Sequence, residues 1–557
     1  MKKNKLIISS IAAFTAVLTI SCNKDFLNKP FQRQLEDATF WTNANDAYLA
    51  LNACYNQIDG GEGMIYDDGK TDNAYAQYPW ESNATEISLG DVTPATGVDW
   101  DFTAIRRVNN FLDKVEPIAM DENLKKRFKA EARFLRAYRY ANMMNNFGDV
   151  PLITYLPDLT NWAVPRNKRE DIFKFVVDEL TAVAEDLPAS YANGKYNERG
   201  RVTKGAAYAL LARVNLYESK WQAAADAAQK VMGMGYDLFT VTTESEADKL
   251  DNYAKWVDFT NADEEKRFRL GLRSYEQLFW EQNENNVEVI LDRQYIKEKD
   301  PKYLNTYLLS DDLGGWSSVT PTQELINDYM SFKTGEPITA ITPAERAIRF
   351  AARKTNPAFY AEYKNRDPRF YASILFEGNP WNAIDDAYEF VWVIGGNNCS
   401  KTGFNFRKMV DPVAYRAHLD NYSNQILIRY AEVLLTYAEA KNEAGGATPD
   451  ASVYDALDKI RVRAGMAKVD RTKINTKEKM QAFIRQERRI ELALEGHRYM
   501  DIRRWKTAPT VMHTIQDLQN GLVQTRAWDN KLYLMPVPQS EIDINPKLKP
   551  NNPGYIE

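Results

Sequence analysis

The chain has 557 residues, of which 44% are hydrophobic and 27% charged, and its net charge is −6. That apolar supply is ample for a large core and excludes a disordered or collagen-like chain, and the acidic balance argues against a nucleic-acid partner, which needs clustered excess Lys and Arg. Three cysteines and three scattered histidines, His418, His497 and His513, supply neither a disulfide scaffold nor a His-built metal site, so no metal or cofactor is expected.

Lys2, Lys3 and Lys5 precede an uncharged, mostly apolar run over 6–20, the pattern of an export signal and too short for a comfortable membrane span. The run ends in Leu18-Thr19-Ile20-Ser21-Cys22, which is similar to a bacterial lipobox with its leucine one place further upstream than usual. The resemblance implies a signal peptide over 1–21, cleavage before Cys22 and acylation of that cysteine. Each buried CH₂ contributes about 0.8 kcal/mol, so more than one acyl chain anchors stably. Residues 22–37, polar and carrying Pro30, read as a lipidated tether.

Phe40, Trp41, Ala44, Ala47, Tyr48, Leu51 and Tyr55 recur at helical spacing. Residues 60–100, opened by Gly60-Gly61-Glu62-Gly63, read as one long loop, a length more often functional than passive. Helices are predicted over 102–115, 121–146 and 169–186. A helical pair follows at 203–219 and 221–232, its facing positions filled by Ala and Leu, and a second pair at 427–443 and 451–464. This pairing is similar to degenerate tetratricopeptide repeats. Between the pairs Pro, Gly, Asn and aromatics rise and periodicity weakens, with 387–393 a possible strand. The reading is an all-α-dominated helical superhelix with an inserted loop-rich lobe and a few short strands.

No nucleotide loop, zinc motif, nucleophile elbow or EF-hand loop occurs, so no enzyme is expected. Asp67-Asp68 and Asp311-Asp312 read as solvated turns in preference to calcium ligands. The charged stretch over 484–498 reads as one helix, with Arg488–Glu491 and Glu495–Arg498 as structural ion pairs. Cys54 and Cys399 read as unpaired core residues.

An ordered set of motifs runs along nearly the whole chain. Cys22-Asn23-Lys24-Asp25-Phe26-Leu27 precedes Ala38-Thr39-Phe40-Trp41 and Ala53-Cys54-Tyr55. Ala130-Glu131-Ala132-Arg133-Phe134-Leu135-Arg136-Ala137-Tyr138, Phe147-Gly148-Asp149-Val150-Pro151-Leu152 and Gly200-Arg201-Val202-Thr203-Lys204-Gly205 follow. The C-terminal half adds Arg429-Tyr430-Ala431-Glu432-Val433-Leu434-Leu435, Arg503-Arg504-Trp505, Pro536-Val537-Pro538 and Asn551-Asn552-Pro553-Gly554-Tyr555. This set resembles the SusD/RagB family of outer-membrane lipoproteins of Bacteroidetes. The resemblance implies a tetratricopeptide-like helical fold and an exterior, lipid-anchored place on the outer membrane. It also implies a SusC-like TonB-dependent transporter as partner and non-catalytic capture of glycans, or of oligopeptides in some members. The parts expected are an N-terminal helical portion over 38–260 and a C-terminal portion over 261–557. Within the latter, a loop-rich lobe takes about 261–420 and a helical pair about 424–505, before a terminal wrap.

The family's motifs are structural, so ligand residues are read from chemistry. Sugars offer flat CH faces ringed by hydroxyls and call for exposed aromatic planes among amides and carboxylates. The stretch 71–83 supplies both: Tyr75, Tyr78 and Trp80 to stack, Asp72, Asn73 and Asn83 to hydrogen-bond. Trp316 and Trp381, each beside Gly or Pro, are further platforms, whereas Trp100 and Trp221 are assigned to the core. A surface-anchored glycoside hydrolase is the less favoured alternative.

Overall fold

The computed structural model describes residues 40–555 except 59, 192–197, 297–298, 300–301 and 418–420. The signal segment, Cys22 and the tether lie outside the described residues. Among the described residues no helix is long and apolar enough to cross a membrane.

Helix α1 (Ala44–Tyr55) is opened by a capping box in which Asn43 accepts from Asn45 and Asp46 while Asp46 bonds back. The expected loop over 60–100 is instead folded: α2 (Gly61–Gly69), strand β1 (Ala74–Ala76) and α3 (Ala84–Leu89). Glycines at both ends of α2 hid its apolar pair, Ile65 and Tyr66, which are buried. Next come α4 (Thr103–Val115), α5 (Glu122–Phe147) and α6 (Arg169–Asp186). The pair α7 (Lys204–Tyr217) and α8 (Trp221–Met232) has the predicted place; Thr203 caps α7 by accepting from Ala206. Consecutive helices pack in order, α4 on α5, α5 on α6, α6 on α7 and α7 on α8.

The chain then builds α9 (Ala262–Glu276), strand β2 (Val289–Arg293), the short α10 (Leu304–Leu308) and strands β3 (Val319–Pro321), β4 (Ile374–Leu375) and β5 (Asn405–Phe406). Strand β6 (Gln425–Arg429) leads into α11 (Tyr430–Ala444), α12 (Ala451–Arg463), α13 (Lys477–Glu491), α14 (Arg498–Arg504) and α15 (Gln539–Ile544). Helix α8 packs directly on α11, so the two predicted pairs meet although the chain between them is long. The small residues Ala224, Ala225, Ala227 and Ala228 are buried on α8 and let the axes approach closely. Strand β1 pairs antiparallel with β3, β2 with β6 and β4 with β5. The fold is helical with few short strands, as expected from the sequence.

Three local expectations are corrected. Residues 427–429 belong to β6, and the helix starts only at Tyr430. The stretch 387–393 forms no strand: Glu389 makes an isolated bridge with Pro380, Ala387 is left-handed (φ 57°), and the Trp392 N–H is taken by the Glu377 carboxylate. The helix over 484–498 is broken after Glu491, where Leu494 and Gly496 turn with φ of 68° and 74°.

That break re-pairs the charges. Arg488 donates to Asp501 and Arg498 to Asp72, not to Glu491 and Glu495. Glu491 instead accepts from Arg429 at 2.7 Å, from Arg369 at 2.9 Å and from Arg463. Glu495 accepts from Arg429 and Lys408, each at 2.6 Å, and Glu487 from Arg369 at 2.6 Å and Arg461 at 3.1 Å. With Glu288 and Asp367 added, these carboxylates and cations cancel one for one, all buried. They join the lobe, β6, α12 and α13 into one body. His497 is buried beside them; burial, reinforced by Arg213 and Arg488, holds it well below the usual imidazole range.

Candidate functional site

The site grows from the end of the β1–β3 pair. Ala74 and Ala76 pack inward, and just past the strand the Gln77 N–H donates to the Ser318 carbonyl at 2.9 Å. This pairing fixes where the next residues emerge. The Tyr78 and Trp80 rings lie tilted against each other, 4.9 Å between centroids with 31° between planes, and Trp80 is 77% exposed. The Tyr78 hydroxyl donates to Asn398 at 2.8 Å. An exposed tryptophan held this way is costly to leave in water unless something covers it.

Across the strand end stands Trp316, 43% exposed, its carbonyl accepting from the Gln77 amide at 2.7 Å. The turn before it depends on two glycines. Gly314 is left-handed (φ 72°), and a Cβ at Gly315 would lie 2.2 Å from the Leu309 carbonyl oxygen. The Trp316 ring meets Tyr307 edge-on at 6.0 Å, and Tyr307 meets Tyr303 at 6.5 Å and Tyr66 at 6.0 Å. The Tyr66 hydroxyl donates to Glu81 at 2.5 Å, and Ser318 donates to the other Glu81 oxygen at 3.2 Å. Beside these residues lies a cleft of about 480 Å³ whose lining includes Glu62, Tyr66, Glu81, Ser82, Asn83 and Tyr307. Aromatic planes beside carboxylate, hydroxyl and amide groups form the chemistry of a sugar-binding surface.

Tyr78, Trp80 and Trp316 thus emerge at the end of the β1–β3 pair, while Asn83 lines the cleft, its amide donating to the Gly97 carbonyl at 2.5 Å. It removes three candidates. Asp72 is buried and held by Arg498 at 2.8 and 2.7 Å and Arg489 at 2.8 Å. Burial pushes its carboxyl up, but the two guanidinium groups outweigh that and hold it at about 2. Asn73 is buried, its amide donating to Asp68 and its carbonyl accepting from Arg489. Trp381 is fully buried under the Arg407 guanidinium, 4.6 Å from its ring. These three are assigned to the fold. Tyr75 points to the side of β1 opposite Ala74 and Ala76, half-buried and near Arg526.

Other readings change as well. Asp68 is not a solvated turn residue: it is buried, accepts from the Leu494 N–H, and burial lifts its carboxyl to about 7. Among the described residues no group of three or more His, Cys, Asp or Glu is placed to hold a metal ion. Cys54 and Cys399 are both buried and free. Trp221 packs on the core; Trp100 packs edge-on against Phe147 at 4.8 Å yet stays partly accessible. The residues missed from sequence are Tyr66, Glu81, Tyr303 and Tyr307. The i, i+4 spacing of Tyr303 and Tyr307 at α10 was the available signal.

Because Asp72 carries structure, Asp72→Asn is expected to leave ligand affinity unchanged while destabilising the fold. Because the folded carboxyl is held at about 2, below its unfolded value, its contribution is present at neutral pH and is lost as pH falls toward 2. In thermal melts the gap between wild type and variant should be full at pH 7, narrower at pH 3 and closed near pH 2. A weakened ligand affinity with an unchanged melt would return Asp72 to the site.

A helical superhelix carrying an aromatic-rimmed polar cleft defines a class of binding protein. Residues 275–555 match the model of the SusD family, and residues 25–216 match one described as starch-binding associating with outer membrane. The chain belongs to the SusD family. A SusD-like protein of Bacteroides fragilis is 28% identical, with a TM-score of 0.78 over 95% of this chain and 100% of that one. A SusD-like carbohydrate binding protein of the same species is also 28% identical, with a TM-score of 0.75 over 92% and 100%. The starch-binding protein SusD of Bacteroides thetaiotaomicron is 25% identical over 81% of this chain and 76% of its own length.

Proposed function

We propose that this chain is a non-catalytic surface lipoprotein that captures glycans and hands them to a SusC-like TonB-dependent transporter in the outer membrane. The observation that carries the reading is the exposed Trp80, set against Tyr78 and directly preceding Glu81 of a polar cleft whose lining also includes Tyr66 and Tyr307, with Trp316 against Tyr307. The family description and the carbohydrate-binding relatives support it. Affinity electrophoresis against laminarin, amylopectin and xylan tests it, with the products of long incubation checked for new chain ends. Retardation by at least one polysaccharide without new ends is the expected result; new ends would make the chain a hydrolase, and no retardation by any glycan would overturn capture.

Anchoring is assigned to Cys22, outside the described residues. Cys22→Ala is expected to release the protein from the membrane fraction and to cut uptake, because a tethered lid re-engages its barrel as an effectively intramolecular partner. Ligand affinity of the purified variant should stay unchanged. A loss of affinity in solution would make the anchor part of the binding fold.

A further inference from the structure

The cleft described above has a neighbour. Its wall includes Asp99, and the residues that follow directly on the same segment form the wall of a second cleft, of about 380 Å³, lined by Trp100, Asp101 and Phe102. The same cleft is also lined by Ile153, Pro157 and Trp162 from the segment after α5, and by Arg106 and Glu541. Residues 99–103 therefore contribute wall to both clefts, a ridge that the two share. Asp99 and Asp101 stand at most about 7 Å apart along the chain.

The ridge is fixed from below and from the side. Buried Arg139 grips the Asp99 carboxylate with two donors at 2.5 and 2.7 Å and also donates to the Asp101 carbonyl at 3.1 Å. Asn83, which lines the first cleft, donates to the Gly97 carbonyl. The segment after α5 is fixed too. The Asn109 amide donates to the carbonyls of Ile153 and Tyr155 at 3.0 and 2.9 Å, and Asp158 accepts from the N–H groups of Thr160 and Asn161 at 2.7 and 3.2 Å. Trp162 is thus presented 44% exposed from a preformed loop, a state that reduces the ordering cost of a ligand laid on it.

We propose that this second cleft is a further glycan subsite and that the ligand is a chain long enough to cross the ridge and occupy both. The proposal rests on the glycan reading. The lining offers what a sugar calls for: indole rings from Trp162 and Trp100, carboxylates from Asp101 and Glu541, and guanidinium donors from Arg106. Two subsites joined through one ligand raise affinity for the polymer far above that for a fragment filling either alone.

The test uses the polysaccharide that retards the wild type most strongly among laminarin, amylopectin and xylan, and short oligosaccharides cut from it. Titration calorimetry on Trp162→Ala is expected to show polymer affinity lowered at least about 10-fold and short-oligosaccharide affinity unchanged, whereas Trp80→Ala weakens both. Glu541→Gln, a change at the rim that keeps shape, should reproduce the polymer-selective loss in weaker form and guards against misfolding of the tryptophan variant. If Trp162→Ala and Glu541→Gln bind polymer like the wild type, the second subsite is overturned and the glycan reading stands. The subsite is equally overturned if Trp162→Ala changes only the recovery of a partner protein. If the wild type binds none of the polysaccharides, the glycan reading itself falls, and this subsite with it.

Discussion

Trp80→Ala is expected to weaken glycan binding about 10- to 100-fold, and the double change with Trp316→Ala to abolish it at millimolar ligand. Trp80 is the most exposed ring of the rim and is held in place by Tyr78, so its removal takes away a ready stacking plane without opening the core. The loss of its contact area and π-face corresponds to about 1.4–2.7 kcal/mol. Because the side chain is 77% exposed, the melting temperature should hardly move, with a stability change within about 0.5 kcal/mol. Titration calorimetry and a thermal melt on the same preparation separate the two effects. Unchanged affinity in the double variant would show that the rings merely cover the loops beneath them.

Glu491→Ala is expected to produce the opposite profile, a large loss of stability from a fully buried residue that does not line the cleft. Its carboxylate is fully buried and accepts from Arg369, Arg429 and Arg463. Burial alone would raise its pKa, but those three guanidinium groups hold it well below the usual carboxylate range. Removing it leaves buried cations under-compensated, at a cost of about 3–5 kcal/mol. A drop in melting temperature of roughly 5 °C or more should follow. Because the folded pKa is depressed, the contribution is present above about pH 4.5 and lost as pH falls, so wild type and Glu491→Gln should approach one another in acid. A melt unaltered at neutral pH would mean that the neighbouring carboxylates suffice.

The helical body was legible because its periodicity is long and its caps are explicit, as at Thr203 and in the Ala-rich face of α8. Helix α2 was not, since glycines at both ends mimic a loop and only burial of Ile65 and Tyr66 reveals it. In the stretch 71–83 the residue types were right, but the strand period decided their fates. Asp72 and Asn73 lead into β1 and meet Arg489 and Arg498 from more than 400 residues away, a pairing no local pattern announces. Tyr78 and Trp80 follow the strand and escape to the surface. Tyr307 was missed because its value lies in Trp316 and Tyr66 beside it, and that neighbourhood exists only after β1 has paired with β3.

The pairing of β2 with β6 has a consequence for how selectivity can change. Arg293 and Gln425 are register partners, so the chain leaves the helical body at one and returns at the other, side by side. Everything between them, Tyr303, Tyr307 and Trp316 included, is an excursion with adjacent ends, the geometry in which insertions are tolerated and lengthening adds little closure entropy. Such a segment is exchangeable as a cassette: a different excursion on the same two strands would replace Tyr303, Tyr307 and Trp316 and, because β3 and Asn398 lie within it, would also reset how Tyr78 and Trp80 are presented. Only cassettes that bring their own equivalents of Arg369 and Lys408 to meet Glu487, Glu491 and Glu495 would seat without leaving buried charge exposed to an empty pocket.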